Sequence, residues 1–450
     1  MKKILLNALS GVALLIATYS SAVKADSWDY QKAYSYSTSF EERPDWMRVI
    51  PDHVPILSLA LPGTHDSAST LSNTNHNWIA ATQRLPISDQ LQAGIRYLDF
   101  RCNLTGGKLK LFHGIVGLGS TCKAELENVI SFLEQHPSEV VFVHVKQEES
   151  DYPNLEYGNA FYAMIDQLDQ SRIWRRARRS DDNPALGDVR GKIVFSQRFD
   201  ERRAIALVYK HQYAILDHYE FNSNWDLYEH WEEIKKVMEE LASSVHPSAI
   251  SIVGSGGSFP YFVASGRTSP EGPHLLTGLT TPGWSSSYPD FPRGSCLGTL
   301  CSIYFSGLNE LVAWYLDNNE FSFKGVVWAD FPGPALIQAV IDKNAMLWKS
   351  QDSSGDAATS KKGDIYVYNN PYTKTRDYFE ARREGPYGYF PTNQTDNDNW
   401  KYLGHAFPYK KKLSAHEEYY RSFCTEIYYP EWVPQGRRRA VYENICEPYK

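Results

Sequence analysis

Two histidines, an arginine and several acids recur at one kind of position along this chain. The stretch "LPGTHDS" (61–67) sets His65 beside Asp66, and "RYLDFR" (96–101) carries Asp99 and Arg101. "LKLFH" (109–113) ends in His113, "VVFVHVK" (140–146) in Lys146 and "GVVWAD" (325–330) in Asp330. With no evident activated Ser or Cys, these types suit paired acid–base chemistry, in which one imidazole takes a proton while another gives one. Each imidazole then needs a carboxylate to fix its tautomer and support its charged form. An arginine between them fits a phosphate, whose non-bridging oxygens match the guanidinium fork. The set as a whole suits phosphoryl transfer to an internal hydroxyl. Any one of these residues reads equally well as a salt bridge or a cap.

The elements that must position them are short apolar runs alternating with longer amphipathic segments. Candidate strands fall at 56–61, 96–101, 109–113, 140–146, 192–197, 213–217, 250–255 and 325–330. Between them lie helix-like segments such as "CKAELENVISFLEQHP", with Leu126, Val129, Ile130 and Leu133 at helical spacing. Strands alternating with helices predict a parallel sheet with crossover helices, and eight of them predict a distorted TIM-like (β/α) barrel. A doubly wound open sheet is the rival, but no Gly-rich phosphate loop follows the first strand. Ionisable residues cluster at or just past the C-terminal strand ends, the rim on which such barrels build active sites. Charges there are costly unless they pair or serve a site.

Residues 1–25 read as a secretory signal: Lys2 and Lys3, then the apolar run "GVALLIATYS", then Val23 and Ala25 before Asp26. The expected localisation is therefore secreted or periplasmic. The formal charge of −7 becomes 43 basic against 53 acidic residues, −10, without that segment. Such a balance excludes nucleic acid as the main partner. The 12 Trp and 30 Tyr exceed what a core needs, so some should form half-wet surfaces. The six cysteines should pair locally as Cys102–Cys122, Cys296–Cys301 and Cys424–Cys446; zinc is the rival reading, without a matching CxxC and His set. About 425 residues exceed one compact core. The division falls into a catalytic barrel at 26–348, a Ser/Asp/Gly-rich linker at 349–363 and an aromatic-rich β module at 364–450.

"LPGTHDS", "QAGIRYLDFRCN", "LKLFHG", "HPSEVVFVHVKQE", "LGDVRGKIVFSQR", "AILDHYEF" and "GVVWADF" together resemble the X-region of bacterial phosphatidylinositol-specific phospholipase C, in order, over roughly residues 50–340. The resemblance implies a distorted barrel that cleaves phosphatidylinositol in membranes to diacylglycerol and a cyclic inositol 1,2-phosphate. Glycosylphosphatidylinositol anchors are a further candidate substrate. By the same resemblance His65 is the general base toward the inositol 2-hydroxyl and Asp330 its orienting carboxylate. His113 is the general acid, with Asp66 as its acidic partner. Arg101 stabilises the phosphate and Asp99 supports the cluster. Lys146, Arg190, Asp217 and Tyr219 match the inositol-binding groups. Arg101 also stands where the calcium-dependent branch arranges its metal ligands, so the expected cofactor is none.

Two other functions stay in view. A metal-dependent glycerophosphodiester phosphodiesterase or sphingomyelinase D-like barrel would gather acids around magnesium, and an inactive lipid- or glycan-binding protein would need no proton transfer. His53, His76 and His144 read as structural or surface residues, although His144 alternates with Lys146 on one strand and so could line the pocket. "RRARRSDDN" (175–183) reads as a solvated loop and "GSGGSFPYF" (254–262) as a rim loop without phosphate-loop spacing. "LTTPGWSSSYPDFP" (279–292) has the composition of an interfacial loop, and the resemblance is weakest over 255–305. The C-terminal module either binds a glycan or cell-surface ligand or is purely structural. A monomer is the simplest expectation for oligomeric state.

Overall fold

The computed structural model describes residues 29–350, 365–370, 375–383 and 395–406, less short internal stretches at 51, 53, 76, 78, 149–153, 177–182, 198, 200–206, 209–213, 243–246, 281–287, 298–299, 320–322 and 345–348. The expected signal segment, most of the linker, and Cys424 and Cys446 lie outside the described residues, as do His53, His76 and half of the 279–292 loop.

Strands buried on both faces are near-continuous apolar runs, because neither face can carry polar groups at low cost. Among the described residues eight strands pair in parallel. They are β1 (Ala60–Thr64), β2 (Tyr97–Thr105), β5 (Val141–Gln147), β6 (Ile193–Gln197), β7 (Leu207–Val208), β8 (Ala214–Leu216), β9 (Ser248–Ile252) and β10 (Gly325–Ala329), with β3 (Lys108–His113) and β4 (Val116–Thr121) added off β2. The order across the sheet is β7-β6-β5-β2-β1-β10-β9-β8. The sheet is curled, and among the described residues its end strands β7 and β8 do not pair with each other. The fold is α/β, as the alternation of runs predicts.

One expected barrel strand is not one. Residues 109–113 belong to β3, which pairs antiparallel with the outer half of β2, in register from Cys102–Leu111 to Thr105–Lys108. The cause is local. Gly106 and Gly107 take φ of 59° and 73°, the two-residue turn geometry that folds a hairpin. The eighth parallel strand is β7, a two-residue strand at the end of the apolar run 204–208, which is not among the expected strands.

Alternate residues of each barrel strand face opposite ways. Leu61, Tyr97, Phe142, Val194, Ala249, Val326 and Trp328 form one cluster that continues into Met47, Ile50 and Trp174, filling the inside of the curl. Leu98, Phe100, Val143 and Phe195 pack outward against α1 (Cys122–Gln135) and α2 (Asn154–Ile165). Ile250, Ile252, Val327 and Ala329 pack outward with residues of α3 (Asp226–Ala242), α4 (Leu308–Asn318) and α5 (Pro334–Asp342). The buried stripe of α1 holds Leu126, Val129, Ile130 and Leu133, as the spacing predicts, and Thr121 caps it by accepting from the Ala124 amide at 3.2 Å. Gly325 starts β10 at φ 118°, where a Cβ would stand 1.9 Å from the Ser248 oxygen, so no other residue fits there.

At the N-terminal end of the sheet a fully buried ion pair closes the barrel. Arg96 donates to Glu139 Oε2 from Nε at 3.0 Å and Nη2 at 2.8 Å, and to the carbonyls of Leu91, Ile95 and Pro44. Two disulfides match the expected pairs, Cys102–Cys122 and Cys296–Cys301. The second spans the tip of an antiparallel sheet formed by Leu276–Thr280, Arg293–Leu297 and Leu300–Tyr304, inside the region of weakest resemblance. Beyond the barrel, Lys349–Ser350, Ile365–Asn370, Thr375–Ala381 and Trp400–Ala406 make a four-stranded sheet, so the first two residues of the expected linker are a short strand.

Candidate active site

The turn after β1 delivers the first histidine. Its backbone continues the ladder, His65 N donating to Ala329 O at 3.1 Å, and Gln83 Nε2 clamps the His65 and Ala329 carbonyls at 2.8 and 3.0 Å. Asp66 then turns the chain at φ 41°, a left-handed conformation costly for most residues but more accessible to Asp. The turn is stitched to β2: the Asp66 amide donates to Asp99 Oδ2 at 3.0 Å, and the Asp99 amide to Ser67 Oγ at 2.8 Å.

The side chains converge on Arg101. Its Nη2 lies 2.6 Å from His65 Nε2, its Nε 3.1 Å from Asp99 Oδ2 and 3.7 Å from Asp66 Oδ2, and its Nη1 3.3 Å from Glu148 Oε1. Asp330, just past β10, is held through its carbonyl by Asn309 Nδ2 at 2.9 Å, and its Oδ1 meets His65 Nδ1 at 2.8 Å. Nδ1 of His65 therefore carries the proton, and Nε2 presents a lone pair to the guanidinium. His113 rides on the hairpin instead of a barrel strand. Its Nδ1 donates to the Ala80 carbonyl at 2.6 Å, which leaves Nε2 facing Asp66 Oδ2 at 3.8 Å. The two imidazoles stand 6.1 Å apart between centroids, nearly perpendicular at 87°.

The electrostatics separate the acids. Burial pushes the Asp66 carboxyl up to about 7 against the pull of Arg101 and His65, and neither of its oxygens has a hydrogen-bond partner. Asp99 is equally buried, yet Arg101 and His144 overcome that burial and hold it well below the carboxylate range. Glu148 is likewise held down, burial being outweighed by Arg101 and Lys146. The same carboxylates outweigh the burial of Arg101 and reinforce its charge. Burial lowers His113 below an ordinary imidazole, opposed by its bond to Ala80 and aided by Arg101.

His65, His113, Arg101, Asp66, Asp99 and Asp330 are thus brought together. Lys146 joins them through Glu148, with Nζ 3.1 Å from Oε2. Glu148 was not among the expected site residues. Its signal was its spacing, two residues beyond Lys146 and on the same face. Asp217, half-buried, and Tyr219, 47% exposed, follow β8 at the same end of the sheet. Arg190 is not brought to the site. It precedes β6, at the opposite end of the strand, and its guanidinium is taken up by Asp52 Oδ1 at 2.6 Å and by the carbonyls of Met47, Ile50 and Ser138. An arginine so engaged braces the barrel floor with Arg96. His144 is buried, stacked on Tyr97 at 6.3 Å below the cluster.

An open-ended curl of parallel strands with a His–Arg–His cluster at its C-terminal mouth defines an α/β barrel equipped for proton transfer around an anion. The PI-PLC X family model matches residues 58–170, the part that supplies every one of these residues except Asp330. A 1-phosphatidylinositol phosphodiesterase of Listeria monocytogenes is 32% identical over 154 residues, 33% of this chain and 47% of that protein. One from Staphylococcus aureus is 25% identical over 187 residues, 38% and 55%. Human PI-PLC X domain-containing protein 2 is 31% identical over 151 residues, 27% and 44%. The chain spans about half the length of the curated relatives it matches. The solved phosphatidylinositol-specific phospholipase C of Listeria monocytogenes shares the fold, with TM-score 0.50 and 21% identity over 68% of this chain and 99% of that one.

Proposed function

We propose that this chain is an exported phospholipase C-type phosphodiesterase that cleaves phosphatidylinositol without a metal ion. The observation that carries the reading is the pair of imidazoles 6.1 Å apart with Arg101 bonded to one and Asp66 reaching toward the other. A phosphodiester entering this mouth takes guanidinium N–H groups of Arg101, which frees His65 Nε2. That nitrogen then accepts the proton of the inositol 2-hydroxyl as its oxygen attacks phosphorus. His113 Nε2–H protonates the departing diacylglycerol oxygen, and the products are diacylglycerol and inositol 1,2-cyclic phosphate. The nucleophile is tethered to the phosphorus by the substrate itself, so the protein needs only to move two protons and hold charge. The cation already in place supports a metal-independent reading. Asp66, Asp99 and Glu148, acids that could otherwise hold a divalent ion, surround a guanidinium at 3.7, 3.1 and 3.3 Å. The names of the bacterial relatives support the substrate class.

Phosphatidylinositol with its inositol 2-hydroxyl methylated tests the reading. It should bind and resist cleavage completely, because the internal nucleophile is blocked. Release of diacylglycerol from it at a rate near that of the natural lipid would mean that water attacks phosphorus, and the reading would fail.

A further inference from the structure

A second cluster of ligating side chains lies apart from the phosphate-facing mouth. His218 sits in the segment leaving β8, directly after Asp217, while His230 and Glu233 lie one turn apart on the same face of α3. Nδ1 of His218 is 2.6 Å from Glu233 Oε2 and Nδ1 of His230 is 3.4 Å from the same oxygen. The rings stand 5.2 Å apart between centroids. One ligand atom from each of the three residues lies within 4.8 Å of the others. Tetrahedral bonds of about 2.0–2.2 Å hold ligand atoms roughly 3.3 Å apart, so a shared ion would need the His218–Glu233 contact to open by under about 1 Å and the widest separation to close.

We propose that His218, His230 and Glu233 form a three-ligand site for a divalent cation of the zinc class, with water in the fourth position. Two imidazoles and a carboxylate are a zinc donor set, and neutral imidazole suits zinc far better than calcium or magnesium. The burial is graded as an open site requires. His230 is buried to 1% exposure, whereas the side chains of His218 and Glu233 are 44% and 41% exposed, giving an ion a path and a free coordination position. Glu229, one turn earlier on α3, adds negative charge near His218. A bound ion would tie the segment carrying Asp217 and Tyr219 to α3. The site uses none of the residues of the proposed reaction and stands independently of it.

The test uses the full chain, stripped with EDTA, desalted and titrated with zinc chloride by calorimetry. Bound metal is counted by elemental analysis, and cobalt(II) serves as a spectroscopic probe. About one zinc per chain is expected, with the intense visible bands of tetrahedral cobalt. His218→Ala and Glu233→Gln, both at exposed positions, should each weaken zinc binding about tenfold or more while melting like the parent chain in EDTA. His65→Ala should bind zinc as the parent does. Absence of binding at micromolar zinc, binding unaltered by both substitutions, or binding lost in His65→Ala would overturn the proposal.

Discussion

Arg101 is held by three carboxylates and itself holds His65, so its position decides whether the lone pair on Nε2 is aimed or idle. Arg101→Lys keeps the charge but loses the planar fork. It should cost about 3–5 kcal/mol of transition-state stabilisation, read as kcat/KM on phosphatidylinositol vesicles. A loss below tenfold would mean that the fork does not touch the phosphate. Asp66 is the strained acid whose carboxyl makes no hydrogen bond, and two opposite effects follow from it. Its folded-state value of about 7 lies above that of an unfolded carboxyl, so the protonated form is the one that folding favours. That contribution is complete below about pH 4 and is lost as pH rises through about 7. Asp66→Asn should therefore melt higher than the parent at pH 8 and no differently near pH 4. The same change removes the carboxyl facing His113 Nε2, which is charged above about pH 7. It should lower kcat/KM roughly 100-fold and move the alkaline limb of the pH profile to lower pH. A substitution that left that limb in place would show that Asp66 does not support the proton on His113.

The β3–β4 hairpin is the element on which His113, the proposed general acid, depends. It leaves the barrel at Gly106–Gly107, and Cys102–Cys122 joins β2 to the start of α1 across its base. The bridge closes a loop with a sequence separation of 20, which by chain entropy stabilises the fold by about 3 kcal/mol. Cys102→Ala/Cys122→Ala should lower the melting temperature and also reduce kcat, since His113 loses its fixed distance to Asp66. An unchanged kcat at a temperature where the variant is folded would show that the hairpin holds itself. This element also marks where sequence reading ran out. His65, Asp66, Asp99, Arg101, His113 and Asp330 were legible because each ends an apolar run or follows one. The run at 109–113 reads as a barrel strand because its apolar content outweighs the two glycines before it, which specify a hairpin. Arg190 was misplaced for a related reason: it lies before β6, and strand direction puts that end at the barrel floor. Glu148 passed unassigned because an acid beside a lysine has many bland explanations, and only the fold brings Arg101 to it.

The whole molecule divides its polar burial between two ends. The C-terminal mouth carries the functional cluster, and the floor carries Arg96, Glu139 and Arg190, engaged with one another's loops and with backbone carbonyls. Removing one partner of a buried pair leaves an uncompensated charge, which costs about 3–5 kcal/mol. Arg96→Met should destabilise by that amount in urea unfolding, and Arg96→Met/Glu139→Leu by clearly less, with kcat preserved in both wherever they are folded. Equal losses in the single and double variants would mean that packing, not charge, holds the floor. In the proposed reaction Arg101 is the fixed cation at the mouth, in the place of a metal ion. Phosphorus NMR of phosphatidylinositol vesicles treated with the full chain in excess EDTA tests this most directly. The account predicts the resonance of inositol 1,2-cyclic phosphate appearing as the lipid signal falls. Activity abolished by EDTA, or phosphatidic acid or an acyclic inositol phosphate as the first product, would contradict it.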